Sequence, residues 1–288
     1  MKPKSQLTKW LLENRAKMNP RFTEFSWPER YFRGLHDFEA RIAVPDAEFE
    51  GQIIEARGRG IDFDQELALE KASSEAIERL ICMFVGVSTE GIAVSGCNGA
   101  NEHAKNEALE RYYFYLHEFR HQALQRIKSP EANHLIEQFQ DQNQNFELRF
   151  YRMATDQSAS GIVCAICDED AGPKFLGIAL NADLKTAMTR AMCEALANYA
   201  RFSDAPKEYK SEVGLDPNAW ICAPKFLDEV RHLFTSADVA ANSAENLIPE
   251  PELKRESVDI SKIEVLRGCP IKPVQYRVVG TVASGVVQ

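Results

Sequence analysis

A chain of 288 residues can bury a substantial core, and 44% hydrophobic with 27% charged residues excludes a disordered or fibrous protein. The net charge of −9 excludes a non-specific grip on nucleic-acid phosphates. No apolar stretch is long enough to span a bilayer, Met1–Pro20 lacks the apolar centre of a secretory signal, and an odd set of seven cysteines fits reduced thiols, so a cytoplasmic protein with neither nucleic-acid nor membrane partner is expected.

In chain order, Lys4–Lys17 has helical spacing and stops at Asn19-Pro20. Ala40–Val44 and Gly51–Ala56 read as strands, with Gly58-Arg-Gly60 breaking the second. Asp64–Val85 is strongly helical. A short strand-like piece, Gly91–Ser95, leads through Gly96-Cys-Asn-Gly99 into a long helix from about Ala100 to Lys128, ended by Ser129-Pro130. Glu131–Gln140 is a further helix, and Phe146–Met153, Ser160–Asp168 and Lys174–Leu180 are strands. Within the second of these strands Cys164 and Cys167 face opposite sides, so they read as two buried small residues and not as a metal pair. Asp183–Phe202 is the third strong helix. Asp204–Asn218 is loop-like, Pro224–Thr235 helical, and Asp238–Lys254 polar and partly mobile. Ile263–Leu266 and Val274–Val279 close the chain as strands.

The informative feature is an internal repeat. Ala68-x3-Ala72-x2-Glu75-x2-Glu78-Arg79 on the first strong helix has the same spacing as Ala100-x3-Ala104-x2-Glu107-x2-Glu110-Arg111 on the second. The third, Ala187-x3-Ala191-x2-Glu194, keeps the alanines and the first glutamate and has Ala197-Asn198 in place of the Glu-Arg pair. At about 100° per residue, Ala68, Ala72, Glu75 and Arg79 form one narrow stripe, leaving room for something to approach the helix backbone closely. Leu69, Ile77, Leu80 and Ile81, and in the third helix Met188, Met192, Leu196 and Tyr199, would pack into the core. Glycines precede each helix, in Gly58-Arg-Gly60, Gly96-Cys-Asn-Gly99 and at Gly177, as loops whose N–H groups could meet phosphate.

A solvated face with Glu–Arg pairs at helical spacing explains any one of these helices. It gives no reason for three copies in phase. If the three faces converge, five carboxylates meet, Glu75, Glu78, Glu107, Glu110 and Glu194. Two like charges ~4 Å apart repel by about 4 kcal/mol at an effective dielectric near 20, so the cluster needs a cation. All-oxygen ligands favour Mg2+ that keeps waters and bridges to phosphates, with Arg79, Arg111 and Arg190 on the same faces able to hold phosphate oxygens.

In Ala72-Ser-Ser-Glu-Ala-Ile-Glu-Arg79, Glu107-Ala-Leu-Glu-Arg111 and Thr189-Arg-Ala-Met-Cys-Glu194 the chain resembles the YcaO superfamily, over about Gly58–Arg201. The resemblance implies ATP and Mg2+ as cofactors, with Glu75, Glu78, Glu107, Glu110 and Glu194 as metal ligands and Arg111 and Arg190 on the nucleotide phosphates. It also implies a peptide or protein substrate, in some cases brought by a partner protein, whose backbone amide oxygen is phosphorylated to give an azoline, thioamide or amidine. Such chemistry needs in-line positioning and charge neutralisation more than a protein nucleophile, so no Ser–His or Cys–His pair is required. The family's Ser-Asn-Gly stands here as Thr89-Glu90-Gly91, which leaves Asn98 as the substitute nucleotide contact. The usual long segment between the first two motif helices is shortened to Cys82–Glu90, and the chain ends in Ala283-Ser-Gly-Val-Val-Gln288 without the family's proline-rich tail.

The expectation is therefore a single α+β, YcaO-like domain over 1–288, built of repeated strand–loop–helix units with mixed β-sheets. Its motif core spans about 51–203, its last strands about 260–282, and three motif helices converge on a nucleotide site. A nucleotide-binding regulatory or non-catalytic protein is the alternative. A third class is a zinc metallopeptidase, because His117-Glu-Phe-Arg-His121 spells H-E-x-x-H, with Glu131 or Glu137 as further ligand. Tyr112-Tyr-Phe-Tyr115 fits a core or a subunit interface, which leaves a homodimer open.

Overall fold

Alternating apolar residues from His36 to Pro45 make the central strand of the first sheet. In this computed structural model β1 (Arg21–Phe25), β2 (His36–Pro45) and β3 (Ile53–Asp62) form an antiparallel meander in the order β1-β2-β3. The structure describes residues 5–26, 32–45, 53–86, 92–93, 100–140, 146–155, 159–168, 172–202, 227, 230–234, 248–271 and 273–279. The chain divides into two units, Met1–Ala108 with Leu253–Val278, and Leu109–Glu252 with Val279–Gln288. The architecture is α+β, as expected, with three sheets among the described residues.

In the first unit, the N-terminal helical pattern is realised as α1 (Gln6–Glu13) and α2 (Arg15–Met18). α3 (Gln65–Val85) starts at Asp64, whose carboxylate accepts from the Glu66 and Leu67 amides, and stops at Gly86 with φ +68°. α3 lies on the meander and buries Ile77, Leu80 and Ile81 together with Ile42, Val44, Leu11 and Met18. Thr8 of α1 meets Ser73 of α3 through a buried hydroxyl pair at 3.1 Å.

The glycines of Gly58-Arg-Gly60 do not break the strand. They lie inside β3, opposite Ala40 and Phe38 of β2. A Cβ on Gly58 would sit closer than 3.0 Å to Ala72 O and Ala76 N, and one on Gly60 closer than that to Ala68 O and Ala72 N. Ala68 and Ala72 are fully buried, so the stripe of small residues admits the protein's own strand backbone and no ligand. The first expected phosphate-binding loop is thus a helix–strand packing device.

The second unit repeats the arrangement. β5 (Gln125–Arg126), β6 (Phe146–Met153), β7 (Ser160–Asp168) and β8 (Gly172–Asn181) form an antiparallel sheet in that order, and α6 (Leu184–Phe202) packs on β7 and β8. Gly177 lies inside β8, where a Cβ would be closer than 3.0 Å to Ala191 O, Ala195 N and the Glu194 side chain. It too is a packing position and not a loop. Met188, Met192, Leu196 and Tyr199 are buried as their spacing demands, and Cys164 and Cys167 are both buried and free. A third small sheet, in the order β4-β10-β9, unites β4 (Ile92–Ala93), β9 (Glu252–Ser257) and β10 (Val274–Val279). β9 replaces part of the expected mobile stretch, and Ile263–Leu266 contains a 3-10 turn, Glu264–Leu266, in place of a strand. Residues 204–218, 235–247 and 94–99, with Asn98 and the second glycine loop, lie outside the described residues. Of the expected helix 224–235 only Leu227 and 230–234 are described, with a 3-10 turn at Arg231–Leu233. Among the described residues, no helix is long and apolar enough to cross a membrane.

α4 (Ala100–Phe119) ends well before the expected Lys128. His121 takes φ +51°, its amide bonds Glu118 O at 3.0 Å, and the Gln122 amide bonds His117 O at 2.9 Å. This is a Schellman termination with histidine where glycine is usual. α5 (Pro130–Gln140) follows. The same turn removes the zinc motif. His117 is buried, its Nδ1 donates to Gln122 O at 2.9 Å, and its Nε2 accepts from the Ala154 amide at 2.8 Å. Both ring nitrogens are used by backbone, while Glu131 and Glu137 are exposed on α5. The metallopeptidase expectation is corrected: H-E-x-x-H is here a staple for a helix end.

Gly58→Ala and Gly177→Ala should each lower stability by about 3 kcal/mol, read as a shift in urea midpoint, because a methyl group would push the helix off its strand. Burial holds His117 below the ordinary imidazole range. Its folded pKa being depressed, the stability it gives is present above the unfolded value of about 6.5 and lost as pH falls below it. Replacing it by Gln should flatten the acid limb of a stability-versus-pH curve below about pH 6.5.

Candidate nucleotide and metal site

The close helix–strand contact brings helix side chains within reach of strand backbone. β3 and β8 are the outer strands of their sheets among the described residues, so alternate amides point away from the sheet. In the first unit the Arg59 amide donates to Glu75 Oε2 at 2.5 Å, sixteen residues apart in sequence. In the second the Ile178 amide donates to Glu194 Oε2 at 2.8 Å, again sixteen residues apart. Lys71 Nζ reaches Ile61 O at 3.3 Å, and at the matching place Arg190 Nη1 reaches Leu180 O at 3.4 Å, both ten residues apart. The repeat seen in the letters is thus a repeat of hydrogen bonds. It runs one step further in α6, where Asn198 donates to Leu176 O at 2.8 Å. In α3 the matching Arg79 pairs with Glu75.

Glu110, near the middle of α4, satisfies the next outward amide of β8, Leu180, at 2.7 Å. It is buried, and Arg190 stands 3.6 Å from the same carboxylate oxygen. Burial pushes its pKa up to about 7. The Arg190 charge and the Leu180 amide pull it down, the Glu194 charge pushes it further up, and Arg111 pulls weakly down. The second unit therefore gathers Glu110, Glu194, Arg190 and Arg111 into one electrostatic neighbourhood.

In the first unit Glu78 and Glu107 share another. The Cys82 thiol is pushed up to about 11 by burial and then by the charges of these two carboxylates. Glu75 lies apart from them in role, between the Arg59 amide and Arg79. Among the described residues no group of three or more acids, histidines or cysteines is placed to hold a metal ion. The carboxylates come as pairs, Glu78 with Glu107 and Glu110 with Glu194. Pairs fit Mg2+, which takes one or two carboxylates and completes its shell with water and phosphate oxygens. A buried glutamate whose charge is disfavoured up to about pH 7 also fits a place that lacks a cation.

Two participants, Asp37 and Lys71, were not singled out from the letters. Asp37 is fully buried and takes Arg59 through Nε at 2.9 Å and Nη2 at 2.5 Å, with the Arg59 guanidinium 5.3 Å from the Phe25 ring centre. This fixes the residue whose amide holds Glu75. Lys71, paired with Asp62 at 2.6 Å, stands where Arg190 stands in the other copy. Extending the repeat one turn towards the N-terminus finds Lys71; nothing in the sequence marks Asp37.

A family model described as YcaO cyclodehydratase, ATP- and Mg2+-binding, matches residues 84–263. No curated protein matches the chain. Among solved structures, YcaO from Methanopyrus kandleri, bound with AMPPCP and Mg2+, is similar with TM-score 0.63 at 12% identity, over 97% of this chain and 91% of that one. A heterocyclase in complex with substrate and cofactor is similar with TM-score 0.64 at 10% identity, over 94% of this chain and 51% of its own, so the present chain spans about half of it. The Escherichia coli microcin synthetase McbBCD complex with pro-MccB17 bound gives TM-score 0.52 at 11% identity, over 90% and 87%. At such identities the likeness is one of fold. The family model covers more than half of the chain, and on that ground the chain belongs to the YcaO family, whose cofactors are ATP and Mg2+.

Proposed function

We propose that this chain is an ATP- and Mg2+-dependent enzyme that activates a peptide backbone amide by phosphorylating its oxygen. The observation that carries the reading is the buried Glu110, held against Leu180 and Arg190 and coupled to Glu194, with a pKa of about 7. Bound ATP·Mg2+ supplies a phosphoryl group that makes the amide oxygen a leaving group. Glu110 with Glu194, and Glu78 with Glu107, would hold the Mg2+. The strand amides of Leu180 and Ile178 fix the rotamers of Glu110 and Glu194, so little reorganisation is needed when a cation arrives. Arg190 and Arg111 take phosphate oxygens, Glu75 and Arg79 support the first unit's face, and Asn98 completes the nucleotide contacts. The attacking group belongs to the substrate or to an added nucleophile; an azoline, a thioamide or an amidine follows according to which. The substrate is a peptide brought by a partner protein, in keeping with the substrate-bound heterocyclase and the microcin synthetase complex.

Calorimetry with ATP and Mg2+ should show binding to wild type. Glu107→Gln and Glu194→Gln should weaken it about tenfold or more, ~1.4 kcal/mol each. No heat for wild type would overturn the reading. ADP release that begins only when a peptide substrate is added marks an enzyme; nucleotide held without turnover under every substrate marks a regulatory protein. Without nucleotide, Glu110 makes its own signature. Its folded pKa is raised, so the protonated form favours folding, and the protein should lose stability as pH rises from about 4.5 to about 7, by at most roughly 3 kcal/mol. Glu110→Gln should remove that slope in thermal melts of the nucleotide-free protein.

A further inference from the structure

H-E-x-x-H gives one histidine to the interior and turns the other outward. His121 sits at the left-handed position that ends α4, and its exposed ring meets His232, in the Arg231–Leu233 turn of the same unit. His121 Nδ1 and His232 Nε2 are 3.2 Å apart across 111 residues of sequence. The ring centres are 4.9 Å apart with planes at 56°. A head-on N–H···N hydrogen bond of that length would hold the ring centres about 5.4 Å apart. Two imidazole nitrogens each about 2.0–2.1 Å from one tetrahedral ion stand about 3.3 Å apart, with ring centres about 5.2 Å apart. The observed spacing lies nearer the second value than the first: the two rings are angled to each other and not aligned end to end, with one nitrogen of each at the spacing of two ligands on one ion.

We propose that His121 and His232 form a surface site for a borderline divalent transition ion of the Zn2+ class, separate from the Mg2+ carboxylates. Imidazole nitrogen suits Zn2+, Ni2+ and Cu2+, whereas Mg2+ takes oxygen. Two protein ligands leave the remaining positions to water. When the ion binds the neutral pair, the hydrogen shared between the facing nitrogens moves through water to the far nitrogen of its own ring. Both facing lone pairs then reach the metal, and no net proton is released. The ion clips the end of α4 to the 230–234 segment, which is already joined to it by the Leu124 amide on Leu233 O at 2.8 Å.

The test is Zn2+ titration of the full chain by calorimetry above the ordinary imidazole pKa of about 6.5, in excess Mg2+ to keep the carboxylates occupied. Wild type should bind one ion per chain in the micromolar range and melt at a higher temperature when loaded. His232→Ala and His121→Gly should each bind at least tenfold more weakly and show no rise in melting temperature. Glycine suits the left-handed helix end, so His121→Gly preserves the fold while removing the ligand. Absence of Zn2+ binding to wild type, or wild-type affinity in either variant, overturns the proposal.

Discussion

Everything in both units turns on how near a helix backbone can come to a strand. Gly58 and Gly60 against Ala68 and Ala72, and Gly177 against Ala191, remove the side chains that normally separate the two layers. A glutamate is a short arm, and only at this range can Glu75 or Glu194 reach across to the outward amide of the neighbouring strand. The contact solves two problems together. It satisfies outward amides of β3 and β8, each an outer strand among the described residues, and it fixes the rotamers of the carboxylates that do so.

The electrostatics follow from that packing. A carboxylate oxygen tied to a buried amide cannot rotate to water, so Glu110 bears its burial without full relief from Arg190. Burial of this carboxyl without full compensation makes its charge costly. Glu75 is the opposite case, because its own arginine, Arg79, already balances it. The two glutamates stand on different rungs of the repeat, and their surroundings differ as well.

What could be read from the letters was whatever has a period. The three helices and their in-phase acids were visible because helical spacing repeats, and strands such as Phe146–Met153 were visible from their apolar alternation. The glycines were misread because glycine marks both a turn and a close approach, and only the layer facing it decides which. The alanine stripe did foretell close packing, but the partner was the protein's own β3. α4 stops early through His121, a residue type that sequence rules do not place at a helix end, where glycine is the usual sign. β9 is charged on both faces and carries no alternation to detect. Asp37 acts through Arg59, twenty-two residues away, and a single contact of that range leaves no local trace.

The copies on α3 and α6 part company after their shared glutamate. Where α3 has Arg79, a cation bound to its own glutamate, α6 has Asn198, a neutral amide spent on Leu176 O. Glu75 thus has a counter-charge one turn along its own helix, whereas Glu194 has a neutral amide there. A chain built from paired halves can specialise in this way by changing a few helix side chains, without disturbing the glycines and alanines that hold either half together.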